Sequence, residues 1–252
     1  MLRRVHLFGV SIDALRMHEA VGLVLEWVAQ SEGGCRFVVT PNVDHTVLLQ
    51  SHEGLQRAYR DADLILADGQ PVVIASRLVR KAVPERVPGS DLVPALFDAA
   101  DPRHRLRVFL LGAAPGVADR AAQNIQRRWP AVQIVGTYGP RLGFEKEVAE
   151  NRWILAKISA ANPDVLIVGL GAPKQELWVH AHRQHIRASV VLCVGATIDF
   201  LAGEKTRAPL WMRKVGLEWC HRMLTEPRRL AWRYARDAWI FPQLVWREWR
   251  TA

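Results

Sequence analysis

Cysteine is scarce in this 252-residue chain: Cys35, Cys193 and Cys220 are odd in number and far apart. They fit neither a disulfide framework nor the Cys-x-x-Cys spacing of a zinc site, and they suit a reducing compartment. Long apolar runs are also missing. The longest uncharged apolar stretch, Ala188 to Ile198, stops at Asp199, well short of the roughly 20 residues that cross a bilayer. The opening Met1-Leu2-Arg3-Arg4-Val5-His6 lacks the apolar core and small-residue cleavage site of a signal peptide, so export by that route is not expected. No internal repeat or low-complexity tract is visible, which excludes a solenoid or a disordered linker. Acidic residues are in deficit, 25 against 34 Lys and Arg. The net charge of +9 calls for an anionic partner, whether nucleic acid, anionic lipid or a phosphorylated substrate.

Half of the residues are hydrophobic, enough for a large core. Short aliphatic and β-branched runs recur between amphipathic segments: Val5 to Val10, Phe37 to Thr40, Leu64 to Ala67, Val108 to Leu111, Val132 to Val135, Val165 to Leu170 and Val190 to Val194. That alternation predicts βα units and a mainly parallel sheet. Several runs are apolar at successive positions, so both sheet faces are expected to be covered by helices, as in a Rossmann-like α/β fold. Val21, Val24, Leu25 and Val28 follow helical spacing, and Ser90-Asp91 and Gly171-Ala172-Pro173 mark helix starts. Composition shifts after Gly203. From Lys205 onward stand eleven Lys or Arg, four Asp or Glu, and six of the ten Trp. The expected division is an α/β catalytic domain over 1–203 and a basic, Trp-rich helical appendage over 204–252.

In parallel α/β sheets ligands bind beyond the carboxyl ends of the strands. Thr40-Pro41-Asn42 follows the second run and offers a hydroxyl and a carboxamide, which serve equally as ligand contacts or a helix cap. Ala67-Asp68-Gly69 puts a carboxylate at the third strand tip beside a glycine, where it can act as a general base or as a turn-capping residue. Asp61-Ala62-Asp63 resembles a metal-binding Asp-x-Asp but precedes its strand, so it falls at the opposite edge of the sheet and no metal site is expected there. Leu111 to Gly116 is a small-residue turn into a helix that lacks the full Gly-x-Gly-x-x-Gly spacing of a dinucleotide site. Gly169-Leu170-Gly171-Ala172-Pro173-Lys174-Gln175-Glu176 combines close glycines with a helix N-terminus, and Lys174 there favours a diphosphate while Gln175 can read hydroxyls or a uracil edge. His180, His182 and His185 are expected to be solvated rather than metal-bound.

In the appendage, Trp211, Trp219, Trp232, Trp239, Trp246 and Trp249 interleave with arginines. Trp prefers the bilayer interface and Arg pairs with phosphate. An anionic membrane surface is the expected partner, ahead of helix packing and of nucleic acid, for which no recognised module is present.

The ordered set Thr40-Pro41-Asn42, Ala67-Asp68-Gly69, Arg86 to Leu92, Gly169 to Glu176, Asp199-Phe200, Ala202-Gly203, Arg207-Ala208-Pro209 and Leu217 through Arg222 to Glu226-Pro227-Arg228-Arg229 resembles the WecG/TagA/CpsF glycosyltransferases over nearly the whole chain. The resemblance implies an inverting, metal-independent and cofactor-free transfer from a UDP-sugar donor to a polyprenyl-diphosphate-linked acceptor. It places the chain in the cytoplasm, peripheral to the inner face of the cytoplasmic membrane. It further implies Asp68 as catalytic base and a substrate pocket lined by Thr40, Asn42, Arg86 and Gln175, to which the helix start read above adds Gly169, Gly171 and Lys174. Arg207, Arg222, Arg228 and Arg229 would meet the lipid diphosphate. The family often has Gly-Gly before a Phe-Asp pair, where this chain has Gly195-Ala196-Thr197-Ile198-Asp199. N-acetylmannosamine, its uronic acid and a hexose such as glucose all stay open as donor sugars, as do monomer and homo-oligomer. Two rivals have distinct signatures: a NAD-type oxidoreductase would bind NAD(H) in place of UDP, and a non-enzymatic membrane adaptor would need only the tail.

Overall fold

A computed structural model describes residues 3–30 and 34–251, with the side chains of Lys214 and Arg229 outside the description. The chain opens with a hairpin, β1 (Arg4–Leu7) and β2 (Val10–Asp13), followed by α1 (Met17–Gln30). Next come β3 (Arg36–Val39), α2 (Val43–Leu48), α3 (Glu53–Arg60), β4 (Leu64–Ile65), α4 (Gln70–Leu78) and α5 (Gly89–Asp98). The second half of the sheet is built from β5 (Leu106–Gly112), α6 (Val117–Arg128), β6 (Val132–Tyr138), α7 (Val148–Ala161), β7 (Val165–Gly169), α8 (Lys174–His182) and β8 (Val190–Cys193). Four helices complete the chain: α9 (Thr197–Ala202), α10 (Leu210–Lys214), α11 (Glu218–Thr225) and α12 (Pro227–Thr251).

Six strands form one all-parallel sheet in the order β4-β3-β8-β7-β5-β6. The sheet is parallel because each strand is followed by a helical crossover, and its central strands are apolar throughout because both faces are covered. In β7, Leu166 and Val168 enter one core and Val165 and Ile167 the other. The first core holds the buried faces of α2, α3, α4, α7 and α8, with Leu244 of α12. The second holds those of α1, α5, α6 and α9. This is the expected α/β class with helices on both faces.

The run Val5 to Val10 behaves differently from the other six. Phe8 and Gly9 both have positive φ, so the run is broken at its middle into an antiparallel hairpin outside the main sheet. Its apolar side chains still belong to the first core. Phe8 packs edge-on against Phe241 of α12 at 5.3 Å.

Pro227 begins α12, where a missing N–H costs nothing. The helix is two-faced with a seven-residue recurrence: Leu230, Asp237 and Leu244 are buried, whereas Trp232, Trp239 and Trp246 are exposed. The two stripes lie about 200° apart around a 3.6-residue helix. The buried stripe docks on the body through charge as well as apolar area. Asp44 of α2 receives Arg236 at 2.5 Å and Arg233 at 3.4 Å. Near the other end of α12, Lys81 pairs with Glu248 at 2.6 Å. Among the described residues no helix is long and apolar enough to cross a membrane.

Candidate active site

The carboxyl ends of β3, β4, β7 and β8 bring four separate sequence segments together. Asp68 follows β4 and is tied to the segment after β3 by its own N–H, which donates to Pro41 O at 2.8 Å. Thr40 is buried and donates its hydroxyl to Cys193 O at the end of β8. Asn42 caps α2, accepting from His45 N at 3.3 Å. Gly69 lies against Asn42, with φ of +102°, a conformation that a side chain would strain.

Beneath these residues runs a buried polar chain. His45 Nδ1 is 2.9 Å from Asn42 Oδ1, and its Nε2 is 3.2 Å from Glu176 Oε1. Gln175 donates to the same Glu176 oxygen at 2.7 Å and accepts from Gly195 N at 3.1 Å. Burial works against the charged imidazole, but the Glu176 hydrogen bond and the charges of Glu176, Asp44 and Asp68 outweigh it and raise the His45 pKa. An imidazolium donates from both nitrogens, which fits the two short contacts; the 3.4 Å approach of Asn42 N to Nδ1 is the weaker alternative. Gln175 therefore has both ends of its carboxamide occupied by protein, and it orients the β8 exit.

The Asp68 carboxylate stands apart, because among the described residues it accepts no hydrogen bond. Burial pushes its pKa up to about 6; Arg86 pulls down, Glu218 pushes up, and His45 and Arg222 pull down. Partial burial favours the neutral acid, and the cations hold the shift in check. Arg86 is fixed by Glu218 at 3.0 Å and Asp91 at 3.3 Å. Arg207 joins the same cluster, 2.7 Å from Asp91 Oδ1 and 3.1 Å from Ser90 O. Arg213 lies 3.5 Å from Asp91. Three guanidinium groups thus share two carboxylates, and of the three Arg86 acts directly on Asp68.

The other expected site residues are spread around this centre. Gly169 ends β7 between two neighbours: a Cβ on it would meet Gly195 O at 2.8 Å, and one on Gly112 would collide with Gly169 itself. Gly171 has φ of +80° in the turn before α8. Lys174 opens α8 but pairs with Glu145 at 3.2 Å. Arg222 lies on α11, close enough to act on Asp68, whereas Arg228 is exposed at the start of α12. The Arg229 side chain lies outside the described residues. Asp61 and Asp63 sit at the far edge of the sheet, where Asp61 meets His180 at 2.7 Å and Asp63 meets Arg183 at 2.5 Å. His182 is likewise engaged, stacked on Trp178 at 4.8 Å.

Sequence reasoning assigned no role to His45, Glu176, Asp91, Arg213 or Glu218. For His45 the signal was present in the Asn-x-x-His spacing, which places it one turn above the cap. For the others the contacts that build the site, His45 with Glu176, Arg86 with Glu218, and Arg207 and Arg213 with Asp91, each span more than a hundred residues, and local pattern carries no trace of them.

The family described as "Glycosyl transferase WecG/TagA/CpsF family" matches residues 5–252. Similar proteins include the N-acetylglucosaminyldiphosphoundecaprenol N-acetyl-beta-D-mannosaminyltransferases of Staphylococcus aureus strains NCTC 8325 / PS 47, COL and N315. Each is 30% identical over 227 residues, which is 90% of this chain and 87% of the relative.

Proposed function

This chain belongs to the WecG/TagA/CpsF family of glycosyltransferases, and from that premise we propose that it moves a sugar from a UDP-sugar onto a hydroxyl of a polyprenyl-diphosphate-linked saccharide, with Asp68 as the base. The observation that carries this is a carboxylate that accepts no hydrogen bond among the described residues, raised to about 6 and flanked by Arg86 and Arg222. A base with a pKa close to the working pH is largely ionised yet still basic enough to accept a hydroxyl proton. As the acceptor oxygen attacks the anomeric carbon, its proton passes to Asp68 and the bond to UDP breaks. One displacement inverts the configuration. The negative charge that develops on UDP is met by guanidinium and backbone N–H groups preorganised around the cleft, without recourse to a divalent ion.

The names of the relatives supply the first substrate pair to try: UDP-N-acetylmannosamine with N-acetylglucosaminyl-diphospho-undecaprenol. The uronic acid and UDP-glucose follow. The appendage is proposed to hold the chain at the inner face of the membrane, where such an acceptor resides.

Release of UDP in the presence of acceptor measures the reaction directly. Asp68→Asn is expected to lower kcat by about 10² to 10⁴ while its circular dichroism matches the parent. Near-normal turnover in that variant would remove Asp68 from the mechanism, and absence of transfer from every UDP-sugar tried would refute the substrate class.

A further inference from the structure

An apolar groove of about 570 Å³ runs between α4 and α12, lined by residues that include Pro71, Ile74 and Leu78 on one side and Val245, Trp246 and Trp249 on the other. Its size falls within the roughly 300 to 1,000 Å³ of ordinary ligand sites, and its lining has no titratable side chain. Ile74 is 48% exposed and Leu78 61%, so their apolar surface is left open to water on a face that a partner would be expected to cover.

The groove begins at the active site. Gly69, directly after Asp68, caps α4, and Pro71 is the first residue of the lining. Gly216, between α10 and α11, packs against Gln70 so closely that a Cβ would meet its Cβ at 2.7 Å. That contact seats the turn leading to Arg222 over the entrance of α4. Arg86 and Arg222 act on Asp68 at one end and the groove that starts at Pro71 is apolar, a combination that matches a diphosphate followed by a hydrocarbon chain.

The two walls cannot simply collapse on each other. At the far end, Lys81 just beyond α4 is pinned to Glu248 at 2.6 Å, and Arg247 donates to Gln50 at 2.9 Å. These polar tethers and the buried stripe together set the position of α12, and the groove between it and α4 stays open.

Resting on the reading of the chain as a transferase for lipid-linked saccharides, we propose that this groove binds the first isoprene units of the acceptor's polyprenyl chain. A concave slot between two helices accepts one chain lengthwise. The convex stripe of Trp232 and Trp239, which lies outside the groove, is the surface suited to a bilayer.

The test compares two acceptors with the full chain at fixed detergent: N-acetylglucosaminyl-diphospho-undecaprenol and the same head group on a short alkyl chain. KM for the long chain is expected to be about tenfold lower or better. In Ile74→Asn and Leu78→Asn, both at exposed positions, the ratio should fall towards one through a rise in the long-chain KM. A wild-type ratio of one, or a ratio unchanged in both variants, overturns the groove alone. Weaker flotation with anionic liposomes in the same variants would mean that the bilayer covers this face, and would also overturn it. Transfer to neither acceptor overturns the transferase reading and this proposal with it. Independently of turnover, a diazirine on the first isoprene units of the long-chain acceptor should label peptides from α4 and the end of α12; labelling confined to other helices contradicts the assignment.

Discussion

At the scale of the residue, Asp68 exposes a conflict between stability and function. Its folded pKa of about 6 lies above the ordinary 3.8, so between those values the folded state holds a proton that the unfolded chain has lost. Stability from this group is present below about pH 3.8 and is lost as pH rises towards 6. Asp68→Asn should therefore stabilise the fold at pH 7.5, by up to about 3 kcal/mol at 1.36 kcal/mol per pKa unit, and by nothing at pH 3.5. Urea denaturation at the two values measures this. The wild-type kcat/KM should climb through pH 6 to a plateau, since only the ionised form can take the acceptor proton. His45 runs with the same sign in a higher pH window. Its pKa is raised by Glu176 against burial, so its contribution is full below the ordinary 6.5 and fades as pH rises through its folded value.

At the scale of the element, α12 is a docked helix as well as an aromatic one. Asp44 is buried, yet Arg233 and Arg236 remain about a third exposed, so the pairing is worth less than a sealed ion pair. Asp44→Asn should cost about 1 to 2 kcal/mol and should speed tryptic cleavage after Arg233 and Arg236. Protease resistance equal to the parent's would show that the apolar stripe alone holds the helix. The start of α12 was legible in the sequence because Pro227 opens a helix and the arginine spacing is helical. Its docking was not, since the acceptor of those arginines sits about 190 positions upstream on α2. The hairpin escaped for a different reason: Val5 to Val10 reads as one strand, and only the positive φ of Phe8 and Gly9 divides it.

For the whole molecule, the two faces of α12 fix how the cleft meets a surface. The buried stripe sets the rotation of the helix on the body, and the exposed Trp232 and Trp239 then point outward together. Trp232→Ala with Trp239→Ala should leave the thermal midpoint within about 2 °C and weaken flotation with anionic liposomes. Added salt should weaken it further, because basic residues near anionic lipid contribute about 1 kcal/mol each through screened attraction. Flotation equal to wild type would move the contact elsewhere. Fold class was readable here because six apolar runs at βα spacing admit few arrangements. The meeting of Thr40, Asn42 and Asp68 could be anticipated because strand tips converge at one edge. The pairing of Arg207 with Asp91 could not, as it depends on how α5 and the segment after α9 approach each other.

The bare strand ends at Gly112, Gly169 and Gly195 carry a consequence for how such an enzyme can diverge. Where neighbouring main chains leave no room for a Cβ at the first two, and a left-handed turn discourages one at the third, the floor of the cleft cannot be rewritten by point substitution. New donor preferences must then arise in the surrounding loops, whose lengths and side chains can vary while the platform below stays the same.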